Sequence, residues 1–278
     1  MTHNTPSALL PVGIFDSGIG GLSVLRHVHA LLPHEHLMYF ADGGFAPYGD
    51  KPEAVVAARA LGIAHFLVQR GVKALVVACN TATVAAIKLL RTHYPELVIV
   101  GVEPGLKPAA AASRSGKIGV LATEGTLMGE KFLLLREECS AASHVQFLLQ
   151  GCTGLADQIE LGELRSSATL ALLERYIAPL LAQGADTLVL GCTHYPFVQQ
   201  AIEAVTQRLG AAPVTLIDTG AAVARQLQRL LAAAALLREA DHDATARISG
   251  YTSAHAGALE NAFASLLGLH PQIEKIVL

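Results

Sequence analysis

"GVKALVVACNTA" (Gly71–Ala82) and "GADTLVLGCTHY" (Gly184–Tyr195) are one pattern written twice. Laid over each other they pair Gly71 with Gly184, Leu75 with Leu188, Val76 with Val189 and Cys79 with Cys192, all at one constant offset. Each is a short unbroken apolar run that stops at a cysteine and gives way to a helical pattern. Unbroken runs, unlike alternating ones, belong to strands covered on both faces, as in parallel sheets. The repeat reaches outward from there. "VGIFDS" (Val12–Ser17) resembles "IGVLAT" (Ile118–Thr123), and after each cysteine helix a further strand ends acid-x-Gly, at Glu103-Pro104-Gly105 and Asp218-Thr219-Gly220.

Strands are expected at Val12–Phe15, Leu37–Ala41, Ala74–Ala78, Val98–Val102, Ile118–Ala122, Val145–Leu149, Thr187–Gly191 and Val214–Ile217. Helical patterns fall between them at Leu22–Leu32, Pro52–Arg70, Ala82–His93, Leu155–Leu161, Ser167–Gln183 and Phe197–Leu209. Strand–helix alternation of this kind predicts α/β architecture. The expectation is two pseudo-twofold-related, three-layer α/β/α domains with mainly parallel sheets and a cleft between them. Residues 1–104 plus 220–278 would form the first domain and 105–219 the second. Beyond Ala221 an Ala-rich helix and a polar bridge (Arg238–Thr245) lead to a strand, "RISGYTS", a helix, and "EKIVL". That tail reads as extra structure packed on one half.

Composition narrows the classes. A chain of 278 residues with 52% apolar and 15% charged side chains has the makings of buried cores. A net charge of −3 without any Lys/Arg run argues against nucleic acid as partner. The longest approach to a membrane span, Leu230–Leu237, is closed by Arg229 and Arg238, and no secretory leader is visible. A cytoplasmic location without membrane attachment is therefore expected. Of the four cysteines, none forms a C-x-x-C pair or has a histidine spaced to complete a zinc site, so free thiols and no metal are expected. Cys139 and Cys152 read as small buried hydrophobes.

Ligands of open parallel sheets bind at the carboxyl ends of the strands. Cys79 and Cys192 both fall there, directly before a helix whose N-terminal dipole and N–H groups favour thiolate. Asn80 and Thr81 are expected to cap the first helix; Thr193 or His194 would cap the second, with Pro196 in its first turn. One such cysteine could be packing, but two at equivalent positions of a repeat weaken that explanation. Two units facing each other across a cleft would set a thiol on each wall. Inverting a carbon centre needs that arrangement, because a proton leaves one face and another arrives on the opposite face.

These segments carry a resemblance. "FDSGIGGLSV", "PYG", "ACNTAT", "GVEPG" and "GCTHYP" are similar, in that order, to the signature segments of the glutamate racemase family, across nearly the whole chain. The resemblance implies two α/β domains enclosing glutamate between paired cysteines, no cofactor, and D-glutamate made for bacterial peptidoglycan. It makes Cys79 and Cys192 the two bases, acting on the D- and L-enantiomer respectively. It gives Asp16 and Ser17 contact with the substrate amino group and support of Cys79, and gives His194 support of Cys192. Glu160 in "DQIELGEL" aligns with a family carboxylate opening an E-E-G segment, whose middle position here is Leu161. Tyr48, Gly49, Asn80, Thr81 and Thr193 fall on substrate-contact positions. Where many members carry Asp-x-x-Arg before the "PYG" segment, this chain reads "ADGGFA". Dimers are common in the family, so a homodimer is a possible partner state.

Competing readings attach to several of these residues. A thiol near ~8.5 is only slightly ionised at neutral pH and needs help to act as a base. Carbanion stabilisation would fall to preorganised donors such as Ser17, Thr81 and Thr193 at helix N-termini. Gly18-Ile19-Gly20-Gly21 departs from the dinucleotide spacing, and a tight turn suffices to explain it. Asp16 could be a cap for the next helix. A Cys192–His194 hydrolase is disfavoured because residues two apart at a strand–helix junction should diverge, and because it leaves Cys79 idle. Glu103 and Asp218 read as structural, and His27, His29, His34 and His36 as solvated. Racemases of aspartate or hydantoins, or a cleft that only binds amino acids or nucleotides, are the alternatives.

Overall fold

The computed structural model describes residues 7–210, 212–239 and 246–278. Among the described residues ten strands run in chain order: β1 Val12–Asp16, β2 Leu37–Ala41, β3 Ala74–Val77, β4 Val98–Gly101, β5 Lys117–Ala122, β6 Gln146–Gly151, β7 Thr187–Gly191, β8 Thr215–Ile217, β9 Ile248–Thr252 and β10 Gln272–Lys275. They form a six-stranded sheet, β10-β9-β2-β1-β3-β4, and a four-stranded sheet, β6-β5-β7-β8. Every pairing is parallel.

The repeat read from the sequence is a repeat of topology. Order β2-β1-β3-β4 in the first sheet matches β6-β5-β7-β8 in the second. Register is kept as well: Ile14 faces Val76 across β1 and β3, and their counterparts Val120 and Val189 face each other across β5 and β7. The tail extends the first sheet, with β9 paired to β2 and β10 to β9. Its Ala-rich helix, Gly220–Ala233, buries Val223, Ala224, Leu227 and Leu231 in the same core as Leu22, Leu25 and Val28.

Unbroken apolar strands follow from the layers. Val12, Ile14 and Val76 enter one core of the first sheet, while Phe15, Leu75 and Val77 enter the core on its other face. In the second sheet Val120 and Val189 point to one side, and Leu121, Leu188 and Leu190 to the other. Each such side chain gains about 1.5–3 kcal/mol on burial, so an alternating strand would forfeit one of its two cores.

Polar anchors close the amino ends of the cysteine strands. Lys73, just before β3, pairs with buried Glu35 at 2.5 Å and donates to Ala8 O. Asp186, at the equivalent place before β7, accepts from Ser113 Oγ and from the N–H groups of Arg114 and Ser115.

Several boundaries differ from expectation. The helix after Cys79 begins at Asn80, not Ala82, and neither Asn80 nor Thr81 caps it; Cys79 itself does, its sulfur accepting from Ala82 N at 3.5 Å. After Cys192 the chain makes a 3-10 turn, Tyr195–Val198, before the helix Gln199–Arg208, with His194 at the cap position but no side-chain cap bond. A further strand, Gln272–Lys275, follows the one read at "RISGYTS" and reaches only the start of "EKIVL". Of the polar bridge Arg238–Thr245, residues 240–245 lie outside the described residues.

Candidate active site

The carboxyl ends of β1, β3, β5 and β7 converge on one narrow cavity of about 40 Å³, below the usual range for small-molecule sites. Ser17, Tyr48, Gly49, Cys79, Asn80 and Thr81 line it from the first sheet's side; Glu160, Cys192, Thr193 and His194 line it from the second's. Of the site residues expected from sequence, Asp16 alone stands back from the wall, wholly buried behind Ser17.

The two sulfurs have different company. Cys79 donates to Ser17 Oγ at 3.8 Å, and Ser17 donates to Asp16 Oδ1 at 3.4 Å. Asp16 Oδ2 accepts from Gly21 N at 2.7 Å, so one carboxylate both caps the loop and holds the Ser17 hydroxyl. Burial raises the Asp16 carboxyl above its ordinary value against the pull of His194 and the Gly21 N–H. Burial, and then the Asp16 charge, push the Cys79 thiol well above its own, opposed by the Ala82 N–H. Cys79 is therefore held protonated.

Cys192 sits at the end of a relay. Its Sγ lies 3.5 Å from His194 Nδ1, and His194 Nε2 lies 2.6 Å from Glu160 Oε1, which also accepts from Ile19 N at 2.8 Å. Burial works to strip the proton from His194, but the neighbouring Cys192 sulfur and Glu160 outweigh it and lift the imidazole well above its usual value. Burial likewise raises Glu160, and is outweighed by His194 and the Ile19 N–H, leaving that carboxyl below its usual range. The expectation that Cys192 and His194 diverge is thus corrected. The 3-10 turn folds His194 back over the strand end, and Glu160 holds it there. Cys79 still shares that cavity, so a one-thiol Cys–His arrangement leaves half the site unexplained.

The glycine loop after β1 has a use beyond a tight turn. A Cβ on Gly18 would lie 1.8 Å from Glu160 Oε1, and one on Gly20 would lie 2.3 Å from His194 Nδ1. Backbone of the first half thus closes directly on the relay of the second.

Thr123, Thr126 and Asp157 also line the cavity and were missed. Thr81, Thr123 and Thr126 join their hydroxyls in a triangle with sides of 2.9, 3.2 and 3.0 Å. Thr123 was findable, since the "VGIFDS"/"IGVLAT" repeat puts it opposite Ser17. Thr126 and Asp157 have no counterpart to give them away.

Residues read as structural lie elsewhere. Glu103 pairs with Lys131 at 2.7 Å. Asp218 accepts from Gly220 N and faces His27. Cys139 and Cys152 are buried and outside the cavity lining. Among the described residues no cluster of three His, Cys, Asp or Glu side chains is arranged to hold a metal, and no helix is long and apolar enough to cross a membrane.

A family model described as Asp/Glu/Hydantoin racemase matches residues 20–227. The glutamate racemase of Pseudomonas aeruginosa (strain UCBPP-PA14) is 50% identical over 266 residues, covering 96% of this chain and 97% of that one. Among solved structures, glutamate racemase isoform RacE1 from Bacillus anthracis superposes with a TM-score of 0.85 at 28% identity, covering 97% of this chain and 98% of that one. Escherichia coli glutamate racemase, in complex with L-glutamate and the activator UDP-MurNAc-ala, gives 0.80 at 31% identity, with 96% and 98% covered.

Proposed function

The chain belongs to the Asp/Glu/hydantoin racemase family and is a racemase, and from that footing we propose that it interconverts L- and D-glutamate with two cysteines as acid and base. The observation that carries this reading is the cavity itself, to which two sulfurs from equivalent repeat positions are exposed, each with its own proton partner. Substrate identity comes from the relatives' names and from the bound L-glutamate of the E. coli structure.

In the L-to-D direction Cys192 takes the α-proton as thiolate and Cys79 delivers its thiol proton to the other face of the same carbon. The D-to-L direction exchanges these roles. A proton held on His194 faces the Cys192 sulfur and stabilises negative charge there, while Glu160 holds the imidazolium. Asp16 and Ser17 support Cys79 and receive the substrate amino group. The carbanion's carboxylate charge is met by N–H groups and hydroxyls at Asn80, Thr81 and Thr193, where helix N-termini and backbone donors are preorganised. Tyr48 and Gly49 complete the wall. The reading needs no cofactor, and D-glutamate supply for peptidoglycan is the role it implies.

Circular dichroism of purified protein with L-glutamate and no added cofactor tests it. Optical rotation should decay to zero, far faster than with L-aspartate, and in heavy water the product should carry deuterium at Cα. Cys79→Ala and Cys192→Ala should each lower turnover by at least ~10²–10⁴-fold, the contribution of a positioned acid or base. Near-parental turnover of either variant in both directions would end the two-base assignment.

A further inference from the structure

The segment before Pro47 lacks the arginine of the Asp-x-x-Arg pattern; Phe45 stands there instead. Asp42 of that segment is wholly buried, yet it is the most heavily bonded carboxylate near the site. Its Oδ2 accepts from Tyr48 Oη at 2.6 Å and from Arg59 Nε at 2.8 Å. Its Oδ1 accepts from Arg59 Nη2 at 2.7 Å and from Ser253 Oγ at 2.6 Å. The guanidinium therefore comes from the helix Glu53–Gln69, a different element, and grips both oxygens in the two-pronged geometry that arginine favours. It packs over the Phe45 ring, 5.2 Å from its centroid, on the side chain that occupies the vacated position.

The bond has a direct line to the cavity. Tyr48 lines the wall, and its hydroxyl is spent on Asp42. Burial, followed by the Asp42 charge, raises the Tyr48 phenol above its ordinary value, so it stays a donor. What the loop offers a substrate is thus backbone at Tyr48–Gly49, and its placement depends on where Asp42 is held. Arg59 also donates to Leu278 O, and Ser253 follows β9, so the tail strands converge on the same carboxylate.

We propose that Arg59 is a positioning residue of the substrate site: from the helix Glu53–Gln69 it supplies the counter-charge to Asp42 and so fixes the Tyr48–Gly49 wall. This rests on the reading of the cavity as a glutamate site. Without Arg59 the buried carboxylate loses the one cation paired with it among the described residues, and the loop loses its fixed seat.

The test compares the full-length parent with Arg59→Met, Arg59→Lys, Ser253→Ala and the double variant Arg59→Met/Phe45→Arg. Arg59→Met should raise the KM for both glutamate enantiomers about tenfold or more, with kcat changed less, because ångström-scale misplacement of a contact wall weakens binding and alignment together. Ser253→Ala should give a smaller rise. Phe45→Arg, which places a guanidinium on the loop three residues from Asp42, should restore much of the lost KM in the double variant. Amide hydrogen exchange over residues 43–49 should quicken in Arg59→Met and slow again in the double variant. Parental KM in folded Arg59→Met, or recovery of melting temperature without recovery of KM in the double variant, overturns the proposal. Should Arg59→Met not fold, Arg59→Lys, which keeps charge but loses the fork, is judged by the same KM criterion. If the parent itself leaves glutamate unchanged, the functional reading fails, and the exchange rates alone decide whether Arg59 seats the loop.

Discussion

Replacing Glu160 by Gln changes one charge in the relay and almost nothing in shape. The amide oxygen can still accept from Ile19 N and from His194 Nε2, so the cross-link between the glycine loop and the second half survives. What disappears is the charge assistance. A hydrogen bond to an ionised partner is worth about 1.5–3 kcal/mol and a neutral one about 0.5–1.5. The difference, about 1–1.5 kcal/mol, corresponds to roughly one unit in the proton affinity of His194. Glu160 keeps 27% of its side chain exposed, so solvent screening holds the effect near this value rather than at the several kcal/mol of a fully enclosed pair.

The sign follows from the directions of the shifts. His194 is raised, so the stability it contributes is complete below its ordinary value and fades as pH rises through the raised one. Glu160 is depressed, so its share is present above its ordinary value and fades as pH falls through the depressed one. Glu160→Gln lets the imidazolium go earlier, so the alkaline limb of kcat/KM should move toward neutrality by about one unit, with roughly a tenfold loss on that limb. Enantiomers have equal free energies, so kcat/KM must fall equally for L- and D-glutamate. Polarimetric pH profiles of parent and variant with both enantiomers measure it. A limb that stays in place, or moves to higher pH, would refute the charged relay.

Two further outcomes test other parts of the structure. Gly20→Ala should cost about a hundredfold in kcat/KM with a small change in Tm, because its Cβ would press on the buried His194 ring and move by about an ångström a group that the proposed reading places beside the reacting sulfur; unchanged kinetics would show that the loop yields instead. Asp186→Ala should lower unfolding free energy by about 1–3 kcal/mol at neutral pH. Burial raises that carboxyl, but Ser113, Ser115, Arg114 and Thr187 donors overcome it and hold it below the usual range. Its contribution is thus present above the ordinary carboxylate value and lost as pH falls, so urea titrations of parent and variant should converge in acid.

The fold was legible because its strands are buried on both faces and occur twice. Two-sided burial writes itself as unbroken runs such as Leu75–Ala78, and duplication turns a weak local signal into a register, so that Cys79 and Cys192 announce strand ends together. Local capping was less legible. A cysteine is not among the usual caps, yet the Cys79 sulfur accepts from Ala82 N. His194, at the head of the 3-10 turn after Cys192, is held by Glu160, which in turn accepts from the Ile19 backbone, groups far off in sequence. Likewise the bond between Arg59 and Asp42 crosses from helix to loop, and no spacing rule within either one predicts it.

Duplication supplies geometry, but the substitutions between copies supply the chemistry. The repeat position of Asp16 is Ala122, and that of His194 is Thr81. The first copy therefore gives its sulfur a carboxylate neighbour and the second gives its sulfur an imidazole. Two identical walls would leave the resting proton shared between equivalent sulfurs, with each substrate meeting the wrong state half of the time. Here burial and Asp16 hold the proton on Cys79, while His194 offers positive charge to Cys192. On the proposed reading the resting site is set for the enantiomer that turns its α-hydrogen toward Cys192, and the mirror substrate must first wait for the proton to cross. Equal free energies of the two enantiomers forbid this bias from appearing in kcat/KM. Carried into the bound complexes, it appears instead as unequal kcat with correspondingly unequal KM for the two directions.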